Sequence, residues 1–132
     1  MKGGKLGTFL FCAMLSACHG SSGIPTSCQL SVTDLPEQPF HIDLCREWTS
    51  ASGQMETRQQ NCAAFAGTTD GGATTQTMFS NDPCPRVGIV GGCRDGYGDI
   101  AYVDWYYSPE AQSAAQVMTA CAQEGGTFVP PP

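Results

Sequence analysis

Eight cysteines are spread along a chain of 132 residues, at positions 12, 18, 28, 45, 62, 84, 93 and 121. No pair has the Cys-x-x-Cys spacing of a structural zinc site, so bonding to one another is the use this spacing favours. A body of roughly 100 residues with few large aliphatic side chains needs such staples, because its core alone gives little net stability. The formal charge of −6 excludes a nucleic-acid partner held through its phosphates. No apolar run reaches the roughly 18 residues of a membrane span, and 41% hydrophobic residues is too many for a disordered chain.

Which cysteines remain to pair depends on the amino terminus. Lys2 and Lys5 precede an apolar stretch from Leu6 to Ala17 that reads as a secretory signal, residues 1–17. Its end, Leu15-Ser16-Ala17-Cys18, resembles the lipobox of bacterial lipoproteins. The resemblance implies cleavage before Cys18, acylation of Cys18 and membrane attachment through that residue. The competing reading is an ordinary signal cut near Ala17 or Gly20, with Cys18 left as a disulfide partner. Under either reading Cys12 is discarded. Both lysines leave with the signal, so four arginines face twelve acids and no polybasic second anchor remains. His19 rather than aspartate after Cys18 suggests the outer membrane, by the sorting habit of enteric lipoproteins.

Cys28, Cys45, Cys62, Cys84, Cys93 and Cys121 then form an even set, read as a disulfide framework in an oxidising compartment. Two echoes divide the body into related halves. Cys45-Arg46-Glu47 matches Cys93-Arg94-Asp95, and Cys62-Ala63 with Gly67-Thr68 matches Cys121-Ala122 with Gly126-Thr127. The division is a tether over 18–27, unit one over 28–69, a threonine- and glycine-rich linker over 70–83, unit two over 84–129 and a proline tail over 130–132. The predicted class is α+β: two degenerate strand/helix units, each helix packed on a short antiparallel sheet.

Unit two is the clearer half. Val87 to Cys93 and Ile100 to Tyr107 read as strands around the turn Arg94 to Asp99. Ser108 offers an N-cap, Pro109 a first helical position, and Ala111, Ala114, Ala115, Met118, Cys121 and Ala122 an apolar stripe. Thr127 to Val129 returns as a strand. A helix running back along the second strand would bring Cys121 to Cys93. Equivalent reasoning on a strand over 40–48 and a helix over 52–66 pairs Cys45 with Cys62 and leaves Cys28 for Cys84. Together, Cys45-Arg46-Glu47-Trp48-Thr49, Cys84-Pro85, Tyr106-Tyr107 and Gly125-Gly126-Thr127-Phe128 resemble short cysteine-rich lipoproteins of Gram-negative bacteria. That resemblance implies export and a stapled fold, and carries no activity with it.

Catalytic patterns are sparse. His41 lies between Phe40 and Ile42 and reads as a strand histidine, no Gly-x-Ser-x-Gly occurs, and the acids are scattered. Asp95-Gly96-Tyr97-Gly98-Asp99 has calcium-loop composition without the spaced acidic ligands, and reads as a turn. On the strand over 100–107, Tyr102, Asp104 and Tyr106 share one face and Val103, Trp105 and Tyr107 the other. If the following helix packs on the Trp105 face, the tyrosine face points outward as a ligand face. The expected protein is therefore a lipid-anchored outer-membrane module, structural or interacting, without catalysis, cofactor or metal. The alternative is a small glycan- or peptide-binding module using Tyr102, Asp104 and Tyr106. The expected partners are the membrane, through acylated Cys18, and an envelope protein or glycan. An envelope enzyme using scattered carboxylates is the third class. Intact mass and fatty-acid labelling of the mature protein should find an acylated Cys18 at the amino terminus; a soluble protein with an unmodified terminus would refute the anchor.

Overall fold

The computed structural model describes residues 25–34, 38–48, 55–97, 100–111 and 113–132. The signal, Cys12, Cys18 and His19 lie outside the described residues. Seven strands and two helices follow in the order β1 (Thr26–Thr33), β2 (Leu44–Trp48), α1 (Met55–Ala64), β3 (Gly67–Thr68), β4 (Thr74–Ser80), β5 (Ile89–Tyr97), β6 (Ile100–Tyr107), α2 (Ala114–Gln123) and β7 (Thr127–Val129). All seven strands join one antiparallel sheet in the order β3-β4-β1-β2-β6-β5-β7. The result is a small, mostly sheet domain with two helices and three disulfides.

The element order repeats along the chain, but the two runs share this sheet rather than each owning one. Each unit runs strand, strand, helix, strand: β1-β2-α1-β3 and β5-β6-α2-β7. The second strands, β2 and β6, pair at the centre with Leu44 opposite Tyr106 and Trp48 opposite Tyr102. The expected linker over 70–83 is not one. Its residues 74–80 form β4, which pairs with β1 over seven positions and separates β1 from β3. Threonine is β-branched and favours the pleated surface, so Thr74-Thr75-Gln76-Thr77 is strand composition rather than linker composition. The tether likewise ends earlier than expected, because Thr26 and Ser27 begin β1 and are fully buried.

The disulfides are Cys28–Cys62, Cys45–Cys84 and Cys93–Cys121. Only the last matches the expected pairing, and sheet alternation explains the other two. Opposed residues in neighbouring strands project to one face. Cys28 lies opposite Arg46, and Arg46 opposite Asp104, which in turn faces Cys93. Cys28, Arg46, Asp104 and Cys93 therefore share the face that carries both helices. Cys45 is one residue from Arg46 and projects to the other face, where no helix can bring Cys62 to it. The echo of Cys45-Arg46-Glu47 in Cys93-Arg94-Asp95 aligned non-equivalent strands. By topology Cys28 of β1 is the counterpart of Cys93 of β5, and each is stapled to its unit's helix.

Alternation also overturns the placement of the second helix. The helix packs over the tyrosine face, not over Trp105. It starts later than expected, at Ala114, with Ser113 as N-cap: the Ser113 hydroxyl accepts the Gln116 N–H at 3.2 Å. Ser113-Ala114-Ala115-Gln116 is thus the capping signal, and Ser108, Pro109 and Glu110 form a turn instead. The buried stripe is Val117 and Cys121, while Met118 is 50% exposed, so the packed face is rotated from the one expected. In α1 only Arg58 and Cys62 are buried, and Arg58 Nη1 donates to Thr26 Oγ1 at 3.0 Å. That helix is stapled to the sheet more than it is packed on it.

The larger apolar cluster lies on the opposite face: Cys45, Cys84, Val103, Trp105 and Tyr107, with Ile42, Ile89 and Val129 at its margin; a second, Cys28, Trp48 and Cys62 with Leu30, Phe79, Ile100 and Tyr102, lies under α1. Residues 81–88 cover it in place of a helix. Cys84 ties them to β2, its N–H donates to Glu47 Oε2 at 2.8 Å, Arg86 pairs with Glu47 at 3.0 Å, and the Tyr107 hydroxyl donates to the Pro85 carbonyl at 2.5 Å. Gly92 lies under Trp105, where a Cβ would come within 2.7 Å of the indole. Replacing Cys45 and Cys84 together by alanine should cost about 4 kcal/mol in the chain-entropy account of a loop this long. Trp105→Ala should cost roughly 3–5 kcal/mol through lost burial. Denaturant unfolding measures both, and peptide mapping without reduction should return the three pairs above.

Candidate functional site

The two helices sit over the outer strands, α1 across β1 and β4 and α2 across β5 and β7, so that on the central strands between them Leu44, Arg46, Tyr102, Asp104 and Tyr106 stay partly exposed while Trp48 is buried. The floor of this trough is three cross-strand pairs: Leu44 with Tyr106, Arg46 with Asp104, and Trp48 with Tyr102. Four residue steps from Leu44 to Trp48 give the floor a length of roughly 14 Å. Phe65, in the turn after α1, overhangs it and is 39% exposed.

At the centre Arg46 makes a two-pronged bond to Asp104: Nε donates to Oδ1 and Nη2 to Oδ2, each at 2.7 Å. The guanidinium carbon lies 3.8 Å from the Tyr102 ring centroid and 5.2 Å from that of Phe65, so the cation is sandwiched between two aromatic faces. Planar guanidinium suits this arrangement, since one edge meets the carboxylate while both faces remain for stacking. The side chains of Arg46 and Asp104 are 21% and 14% exposed, so most of the pair's field acts away from bulk water. Tyr106 is half-buried beside it. Burial first, and the Asp104 charge second, push its phenol above the usual range, so the hydroxyl stays protonated near neutral pH.

Two hollows open along the trough on either side of Arg46 and Phe65. One, of about 280 Å³, is lined by Arg46, Trp48, Asn61, Ala64, Phe65 and Tyr102. The other, of about 310 Å³, is lined by Leu30, Leu44, Arg46, Phe65, Asp104, Tyr106 and Glu124. Tyr106 also borders a third hollow of about 220 Å³ on the α2 side, with Asp43, Glu110, Ala111, Gln116, Val117 and Ala120.

The three expected face residues, Tyr102, Asp104 and Tyr106, do lie together. They floor a trough between helices instead of standing on an open surface, because the helices stand on the same face to either side of them. Sequence reasoning missed Arg46, Trp48 and Phe65. The alternation in Cys45-Arg46-Glu47-Trp48 was the available signal, an arginine and a tryptophan on one side of a short strand. His41 is not within a strand; it precedes β2, with its Nε2 2.7 Å from Asp43 Oδ1 and 3.4 Å from Glu110 Oε1. The Asp43 charge holds His41 above its ordinary value, and burial pushes the Asp43 carboxyl up. Arg94 to Tyr97, expected as part of a turn, instead continue β5 opposite Ile100 to Val103; Asp95 Oδ1 accepts the Gly96 N–H at 2.7 Å, and Gly98 and Asp99 lie outside the described residues.

Asp104→Ala should leave Arg46 without its carboxylate in a largely desolvated place. The expected loss is about 2 kcal/mol in thermal or denaturant unfolding, above the fraction of a kcal/mol typical of exposed pairs. A loss no larger than that would mean solvent takes over the role of Asp104. No family model, curated protein or solved structure matches the chain.

Proposed function

We propose that the protein is a lipid-anchored envelope module that binds a glycan chain in the trough between its helices, and that it is not an enzyme. The observation carrying this reading is the pairing of stacking surfaces with fixed polar groups at the floor. Phe65 and Tyr106 offer partly exposed apolar ring faces above the buried Trp48, and Asp104 with Arg46 offers carboxylate and guanidinium edges held by one another. Sugar rings present the complementary pattern, apolar C–H faces with hydroxyls around the edge. The two hollows lie in line along roughly 14 Å, a span that takes two to three sugar units. The Arg46 charge is neutralised by Asp104 and Glu124 stands at the rim, which favours a neutral ligand over an acidic one.

The structural or scaffolding reading that led from sequence alone loses ground to the binding alternative because of this trough. An enzymatic role is disfavoured by the same contact, since both Asp104 oxygens are taken by Arg46. Attachment through acylated Cys18 and outer-membrane placement remain part of the proposal on the strength of the Leu15 to Cys18 segment.

Trp48 lines the trough, so its fluorescence offers a readout for titration with N-acetylglucosamine oligomers of two to four units. Saturable quenching or enhancement is expected. Phe65→Ala, which removes an overhanging and partly exposed ring, should weaken binding about tenfold without affecting folding. Met118→Ala, on the outer surface of α2, should leave it unchanged. Absence of saturation, or equal binding by the Phe65 variant, would overturn the reading.

A further inference from the structure

We propose that His41, Asp43 and Glu110 form a binding site for a divalent transition-metal ion of the zinc type, at the wall of the hollow beneath α2. Nε2 of His41 and one carboxylate oxygen each of Asp43 and Glu110 converge so that all three lie within 4.8 Å of one another. Two separate segments deliver them: the stretch before β2 supplies His41 and Asp43, and the turn between β6 and α2 supplies Glu110.

Asp43 is the decisive member. It is 7% exposed, and its Oδ2 is satisfied by the Val32 N–H at 2.5 Å. Its Oδ1 is also buried yet accepts no hydrogen bond. What Oδ1 faces is His41 Nε2, 2.7 Å away but without the alignment of a hydrogen bond. Oδ1 thus has an ion-pair neighbour but no hydrogen-bond donor, and a cation between it and the imidazole would satisfy both groups. Misalignment of the ring nitrogen has the same explanation, since ligands of one ion point at the ion and not at each other.

The distances fit. Tetrahedral zinc with bonds near 2.0–2.2 Å separates its ligand atoms by about 3.4 Å. The His41–Glu110 distance is already 3.4 Å, and the His41–Asp43 distance of 2.7 Å must open by about 0.7 Å on loading. The outer contacts are those of a metal histidine as well. The His41 ring hydrogen-bonds the Pro39 carbonyl, which fixes its orientation. Imidazole with two carboxylates selects a zinc-type ion over calcium, which prefers six or more oxygens. Three protein ligands leave a fourth position open. Asp43 and Glu110 also line the hollow formed with Tyr106, Val117 and Ala120, so this position adjoins an apolar recess that shares Tyr106 with the trough.

The site is independent of the glycan reading and is tested without any glycan. Calorimetric titration of the full-length oxidised protein with Zn²⁺ should show one ion per chain. His41→Ala and Glu110→Gln should each weaken it at least tenfold. His19→Ala, which removes the other histidine of the chain, should leave it unchanged. Asp43→Asn keeps an acceptor for Val32 and should also weaken binding; its circular dichroism reports whether it folds, and the His41 and Glu110 variants decide the matter if it does not. In the wild type, Zn²⁺ should move the His41 imidazole resonances, and a tenfold excess of Ca²⁺ should not reverse this. No stoichiometric binding, binding that survives His41→Ala, or displacement by Ca²⁺ would overturn the proposal.

Discussion

Alternation along the two central strands governs everything built on them. In β2, Cys45 and Glu47 project to one side and Leu44, Arg46 and Trp48 to the other; in β6, Val103, Trp105 and Tyr107 oppose Tyr102, Asp104 and Tyr106. The two strands differ by no slip of register, because a one-residue shift would place Trp105 among the helices and Arg46 in the apolar core. Three features pin that register: the Cys45–Cys84 staple on one face, the Arg46–Asp104 bond on the other, and the burial of Trp105. The ion pair is therefore more than an added contact. It states which face is the open one.

The two faces are stabilised by different physics, and this is why one of them can hold a trough. The Trp105 face is closed by apolar burial and by residues 81–88 laid flat across it. The helix face combines a smaller apolar cluster around Trp48 with two covalent bonds. Cys28–Cys62 and Cys93–Cys121 each tie a helix to the first strand of its unit, on the outer part of the sheet. A helix packed only by an apolar stripe would roll toward the centre to bury more surface. A helix fixed by a disulfide near its C-terminal end does not need to, so the central strip stays open.

Much of unit two could be read from its residues, including both β-hairpin strands, the face assignment on β6 and the Cys93–Cys121 bond. Three things could not. The strand character of Thr74 to Ser80 was hidden by threonine and glycine neighbours, a composition shared by linkers and by edge-side strands. The start of α2 was drawn too early because Ser108-Pro109-Glu110 carries the same capping chemistry as the Ser113 that wins. The pairing of Cys28 failed because the alternation of Cys28-Gln29-Leu30-Ser31-Val32 marks a strand but neither its neighbours nor the face it turns to α1, and Cys45 stood nearer to Cys62 in sequence. Arg46 and Phe65 were beyond reach for a different reason. Their roles arise from contacts made across the fold, with Asp104 58 residues away in the case of Arg46, and single-chain patterning carries no record of such a distance.

The staples also tie the reading of the site to the reading of the compartment. α1 buries only Arg58 and Cys62, so in a reducing environment the wall carrying Asn61, Ala64 and Phe65 would rest on the Arg58–Thr26 bond and little apolar area. One hydrogen bond to a cation contributes about 1.5–3 kcal/mol, comparable to the entropy of ordering one or two residues and far short of a ten-residue helix. The Cys28–Cys62 bond thus contributes much of what holds this wall against the sheet. The secretory signal expected over the first seventeen residues and the binding proposed for the trough are linked for that reason: an oxidising compartment would supply the bond that holds the wall.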